Sequence, residues 1–219
     1  MSQLFDPVKT QSTITDSVLV SFSGGKDSVV VMDLCYKYFK NVYPFFMYIV
    51  PGLRFQERML QWYERRYGVE IIRIPHFETS NFYKYGSFRL SDWRVPIIKV
   101  NDVYDYVRDI TGVKWIAAGE RAADSIVRGA MIKHASSVEV LRGRFYPIAW
   151  WKKKDVLDYI RYHKLYLSPE QVQLGFSFRS LAGKELSVIK ERYPEDYERI
   201  LDYFPFAGAG VQRYEQFQK

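Results

Sequence analysis

A chain of 219 residues, 47% apolar, with 32 Lys and Arg against 25 Asp and Glu, suits one domain, alone or with an appendage. With 26% charged residues, 13 glycines and 9 prolines, disordered and collagenous classes are excluded, and a single cysteine rules out an intrachain disulfide framework and a Cys-rich zinc or iron–sulfur site. The start lacks a signal-peptide core and no window approaches 18 uninterrupted apolar residues, so a soluble, cytoplasmic protein with no membrane partner is expected. The formal charge of +7 favours anionic partners such as nucleotides, phosphorylated metabolites or nucleic acid, although a solvated basic surface has the same composition.

Residues 1–15 are polar and unpatterned and read as an arm. Ser17 to Ser23 is a short apolar run stopped by Gly24-Gly25, which predicts a buried strand. From Asp27 the period changes: Val30, Val31, Leu34, Cys35 and Tyr38 share one helical face up to about Asn41. A second strand, Phe45–Val50, closes at Pro51-Gly52, and a helix from Arg54 to Tyr67 ends at Gly68. Val69–Ile74 reads as the third strand. Residues 76–98 read as an irregular aromatic loop, and loops of that length are commonly functional. Asn101 caps a helix through Asp109, Val113–Ala118 is a fourth strand, and a fifth falls near Val138–Leu141 or Phe145–Ile148. Lys152–Tyr162 is helical, two short helices fill 183–203, and the tail from Pro205 reads as peripheral.

Strands alternating with helices imply βαβ units. The expected fold is α/β and doubly wound, a mostly parallel sheet of about five strands with helices on both faces. The expected organisation is an arm at 1–15, an α/β domain at 16–170 and a C-terminal helical extension at 171–219 packed on the same domain.

The most informative stretch is Ser23-Gly24-Gly25-Lys26-Asp27-Ser28, at the joint of the first strand and first helix. Two glycines let backbone N–H groups approach an anion, the helix start offers its positive dipole end, Lys26 adds a cation, and the serines add hydroxyls. The loop is neither a Walker A nor a GxGxxG motif. Asp27 suits the helix dipole, or can help hold Mg²⁺ beside a triphosphate.

This hexapeptide resembles the PP-loop of the adenine nucleotide α-hydrolase superfamily, in particular its phosphoadenylyl-sulfate (PAPS) reductase-like branch. Ile98-Lys99-Val100, the segment Gly119 to Arg128 and Tyr146-Pro147-Ile148-Ala149-Trp150 ahead of Lys154-Asp155-Val156 resemble later motifs of that branch, in its order, over roughly residues 16–170. The resemblance implies ATP as cofactor with Mg²⁺, cleaved between the α and β phosphates. The nucleotide-binding candidates are Ser23, Gly24, Gly25, Lys26, Asp27, Ser28, Gly52, Lys99, Gly119, Arg121, Ser125 and Arg128. Lys26, Asp27 and Arg121 are the catalytic candidates, with Asp27 as metal ligand. Arg121 and Arg128 offer forked donors to phosphate, against the alternative of an ion pair with Glu120 or Asp124.

The resemblance breaks at the cysteines. Reductases of the family look to a C-terminal cysteine and some branches to a cluster; here Leu174-Gly175-Phe176-Ser177 has none, and Cys35 sits on an apolar helix face. Thiol-dependent reduction and an iron–sulfur cluster are therefore not expected. The histidines 76, 134 and 163 match no metal spacing. The leading expectation is an adenylyl-transferring PP-loop enzyme, a transferase releasing pyrophosphate. Its acceptor would be a nucleotide or nucleic-acid component, met by the aromatic loop 77–93 and the basic segment 142–154. Two alternatives stay open: a non-catalytic adenine-nucleotide-binding or regulatory protein, and a nucleic-acid-binding module that grips backbone phosphate. A homodimer or partner protein also stays open.

Overall fold

The computed structural model describes residues 6–135, 137–174, 178 and 180–217. In chain order these form α1 (Asp6–Ile14), β1 (Ser17–Ser21), α2 (Lys26–Tyr38), β2 (Asn41–Tyr48), α3 (Arg54–Tyr67) and β3 (Ile72–Pro75). There follow α4 (Glu78–Tyr85), α5 (Val100–Thr111), β4 (Ile116–Ala117), α6 (Ile126–Ala135), β5 (Val138–Glu139) and β6 (Arg144–Phe145). The chain ends in helices: α7 (Lys153–Tyr162), α8 (Pro169–Leu174), α9 (Gly183–Arg192), α10 (Pro194–Tyr203) and α11 (Ala207–Gln216).

The six strands form one α/β sheet in the order β3-β2-β1-β4-β6-β5. β1 pairs in parallel with β2 on one side and β4 on the other, and β4 pairs in parallel with β6. β5 pairs antiparallel with β6, with Val138 opposite Phe145. A central parallel strand is covered on both faces, which explains why Val18, Leu19 and Val20 are all fully buried. Both places suggested for a fifth strand are thus used, as the two arms of a β5–β6 hairpin.

The chain divides into two compact units: residues 1–46, 64–72 and 106–167 in the first, and 47–63, 73–105 and 168–219 in the second. In the first, α2 packs against α1, α7 and β1. Every residue from Ser28 to Cys35 is buried, so α2 is an interior helix rather than one with a single apolar face. Cys35 is buried with them, and that burial pushes its thiol up from the ordinary range. The segment expected as an unpatterned arm holds α1, whose buried positions among the described residues are Val8 and Gln11, too few to show as a periodicity.

The second unit has its own core of Ile49, Val50, Leu53, Phe55, Leu186, Ile189, Ile200 and Phe204. Ala207 and Val211 of α11 belong to it, so the tail is not peripheral: its small and branched residues follow Phe204 at helical spacing. The aromatic loop also needs correction. It contains α4, and Phe82, Tyr83 and Phe88 pack against this core, with Phe82 edge-on to both Phe88 and Phe204. Tyr85 and Trp93 stay exposed, edge to face at 5.6 Å. The helix after Lys99 begins at Val100, because the carboxylate of Asp102 accepts the Lys99 N–H at 2.7 Å.

Candidate functional site

The first unit brings the loop 23–28 together with the segment that follows β4. Past β1 the ladder continues for one bond, Phe22 N–H to the Phe45 carbonyl at 2.9 Å. The chain then turns through Gly24 at φ +72°, a left-handed conformation that glycine enters without steric cost. Gly25 is extended and caps α2 with no side-chain hydrogen bond of its own. The positive end of α2 is therefore left to whatever the loop holds.

The serine hydroxyls are committed to the loop itself. Ser28 Oγ donates to the Gly25 carbonyl at 3.0 Å and accepts the Ser23 N–H and Ser23 Oγ, both at 3.2 Å. Ser23 Oγ lies 3.4 Å from the Gly25 nitrogen, which donates to it. These bonds make the turn rigid before any ligand arrives.

Gly119 closes the back of the loop. A Cβ there would come 3.2 Å from the Ser28 nitrogen, 3.3 Å from the Asp27 carbonyl carbon and 3.4 Å from Asp27 Cβ. Only a residue without a side chain lets the end of β4 approach the first turn of α2 this closely.

The charged residues form one alternating ladder. Lys26 Nζ lies 2.6 Å from Asp27 Oδ2, and Asp27 Oδ1 lies 3.0 Å from Arg121 Nε. Arg121 Nη2 donates to Asp124 Oδ1 at 2.7 Å, and Arg128 Nη1 to Asp124 Oδ2 at 3.3 Å. Along the ladder the signs run plus, minus, plus, minus, plus. Arg121 is only 6% exposed; its Nε and Asp27 Oδ1 are buried against each other without an aligned hydrogen bond, an ion pair held by charge alone. Arg128 is half exposed. Glu120 pairs with Arg144 at 2.9 Å.

Of the residues expected at the site, the structure gathers Ser23 to Ser28, Gly119 and Arg121 around the loop. It joins Arg128 to them through Asp124. Ser125 Oγ accepts the Arg128 N–H at 3.2 Å and so caps α6. Gly52 and Lys99 belong to the second unit. There a Cβ on Gly52 would lie 3.1 Å from Arg199, whose Nε donates to the Pro51 carbonyl, and Lys99 is exposed. Asp124, expected only as an alternative ion-pair partner, bonds both Arg121 and Arg128. Its spacing, three after Arg121 and four before Arg128, was the available signal.

Among the described residues no group of three or more His, Cys, Asp or Glu is placed to hold a metal ion. The stretch 175–177, where the family resemblance would place cysteines, lies outside the described residues. Among those residues, too, no helix is long and apolar enough to cross a membrane.

The profile of the phosphoadenosine phosphosulfate reductase domain matches residues 17–173. An uncharacterised protein of Methanocaldococcus jannaschii is 28% identical over 212 residues, which cover 87% of this chain and 42% of that protein. The chain thus spans less than half the length of this relative. Among solved structures, the NH3-dependent NAD synthetase of Campylobacter jejuni, in complex with nitrate, aligns at TM-score 0.54 and 16% identity over 100% of this chain and 94% of its own. A PAPS reductase of Candida auris, in a phosphate complex, aligns at TM-score 0.53 and 16% identity over 79% and 85%. At that identity the likeness is one of fold.

Proposed function

Since the chain belongs to the phosphoadenosine phosphosulfate reductase domain family, we propose that it is a nucleotide-using enzyme whose loop 23–28 binds the triphosphate of ATP. The observation that carries this is the uncapped start of α2, wrapped by a pre-bonded glycine turn and bordered by Lys26, Arg121 and Arg128. In this reading an acceptor oxygen, having given its proton to solvent, attacks the α-phosphorus. The bond from that phosphorus to the bridging oxygen breaks, and its electron pair leaves with pyrophosphate. The acceptor is left adenylated, and an incoming nucleophile can displace AMP.

The chain's own contribution is charge and position. Backbone N–H groups of the turn and α2 face the phosphates, and Lys26 exchanges its bond to Asp27 for one to a phosphate oxygen. Phosphoryl-type transfers require little more from a protein. Magnesium commonly takes only one or two carboxylates, with phosphates and water completing its shell. Asp27 at the loop fits that mode, and a bound ion would neutralise charge on the β and γ phosphates. A thiol takes no part, because Cys35 is buried within α2. The acceptor is proposed to be a nucleotide or nucleic-acid component, on the strength of the positive charge and the exposed Tyr85 and Trp93.

The test is pyrophosphate release from ATP and Mg²⁺ with candidate acceptors, beside calorimetric titration with ATP. Wild-type protein should bind ATP, and Lys26→Ala should bind at least ~10-fold more weakly, since one charge-assisted bond contributes about 1.5–3 kcal/mol. ATP binding with no turnover on any acceptor would mark a nucleotide-binding protein instead. No ATP binding at all would end the reading.

A further inference from the structure

A carboxylate beside a polyphosphate weakens binding by repulsion unless it organises cations that more than compensate. Asp124 stands in that position. Its Oδ2 accepts the backbone N–H of Arg121 at 3.0 Å, its Oδ1 accepts Arg121 Nη2 at 2.7 Å, and Arg128 Nη1 reaches Oδ2 at 3.3 Å. One side chain thus fixes a backbone turn and two guanidinium groups. The two differ: Arg121 is buried, whereas Arg128 is 52% exposed in its side chain and, among the described residues, pairs with no other carboxylate.

We propose that Asp124 is a positioning residue for polyphosphate, holding Arg121 and Arg128 in the orientation in which they meet the ligand. This rests on the nucleotide reading above. An arginine side chain has much rotamer freedom to lose, and a carboxylate that orders it beforehand removes part of that cost from binding. Each guanidinium has five donors, so the bonds to Asp124 leave others for phosphate oxygens. The ladder also sets the balance of charge. With Asp27 and Asp124 ionised, three cations leave a net single positive charge.

The experiment is calorimetric titration of the full chain with Mg-ATP and, separately, with pyrophosphate, for wild type, Asp124→Asn, Asp124→Ser, Arg128→Gln and the Asp124→Asn/Arg128→Gln double variant. Melting temperature without ligand is measured in parallel. Serine keeps a hydroxyl for the Arg121 N–H but cannot hold two arginines, so it stands in should the asparagine variant fail to fold. Both Asp124 variants should bind each ligand 10-fold or more weakly, and Asp124→Asn and Arg128→Gln together should lose less than the product of their separate losses. Wild-type affinity in folded Asp124 variants, with only the melting temperature lowered, would show a structural cap and overturn the proposal. So would losses that multiply independently. Wild-type protein that binds neither ligand removes the nucleotide reading itself, a result separate from either.

Discussion

Asp33 lies at the centre of a buried network that can be broken by one atom's change. It is 3% exposed on α2; its Oδ1 accepts the Tyr67 hydroxyl at 2.7 Å, and Oδ2 accepts the Tyr159 hydroxyl and the Lys37 ammonium, each at 2.7 Å. The bonds join α2 to the end of α3 and to α7. Asp33→Asn keeps the volume and removes the charge. A bond to a charged group contributes about 1 kcal/mol more than a neutral one, so three amount to about 3 kcal/mol. Lys37 is 38% exposed and partly screened by solvent, which lowers the expected loss to about 2 kcal/mol. With an m-value of about 2 kcal/mol/M, the urea midpoint should fall by ~1 M at pH 7.

The pH dependence adds a second readout. Burial by itself raises the Asp33 carboxyl, but the bonds from Lys37, Tyr159 and Tyr67 outweigh it and hold the group below its ordinary 3.8. A depressed folded value means the stabilisation is present above 3.8 and is lost as pH falls through the folded value. The gap between wild type and Asp33→Asn should therefore be constant from neutral pH down to about pH 5 and close only in strong acid. Urea melts followed by circular dichroism at several pH values measure it. A variant as stable as wild type at pH 7, or a gap that ignores acid, refutes the reasoning.

Three further outcomes are expected. Asp196→Ala should cost about 2–3 kcal/mol in denaturant melts, because the buried carboxylate accepts the Arg54 N–H at 2.8 Å and the Phe55 N–H at 3.0 Å, and its loss strands both. Gly119→Ala should destabilise by about 1–3 kcal/mol and weaken ATP binding in calorimetry, since the neighbours of the new Cβ include backbone atoms of Asp27 and Ser28. Cys35 should resist iodoacetamide at pH 8 in the native protein and react after denaturation, as its thiol is buried and its pKa raised; rapid native labelling, read by mass spectrometry, would contradict that burial.

Much of this protein is written in short-range order. The run Val18–Val20, the glycine pair and the change of period at Asp27 locate β1, the loop and α2, because strand alternation, turn chemistry and helix spacing each act within a few residues. The resemblance at Ser23–Ser28 follows from the same local pattern. What distant partners decide was not legible. The start of α3 is capped by Asp196, 142 residues away, and no residue near Arg54 announces it. α1 and α4 bury too little to leave a stripe, and α4 keeps only Ser80 inside. Lys26, Asp27, Arg121, Asp124 and Arg128 are visible as charges along the chain, yet their alternation exists only once β1 and β4 pair and Gly119 lets their ends meet. Local conformation depends on neighbours in sequence, whereas charge pairing depends on separations of a few ångströms, which only the folded chain sets.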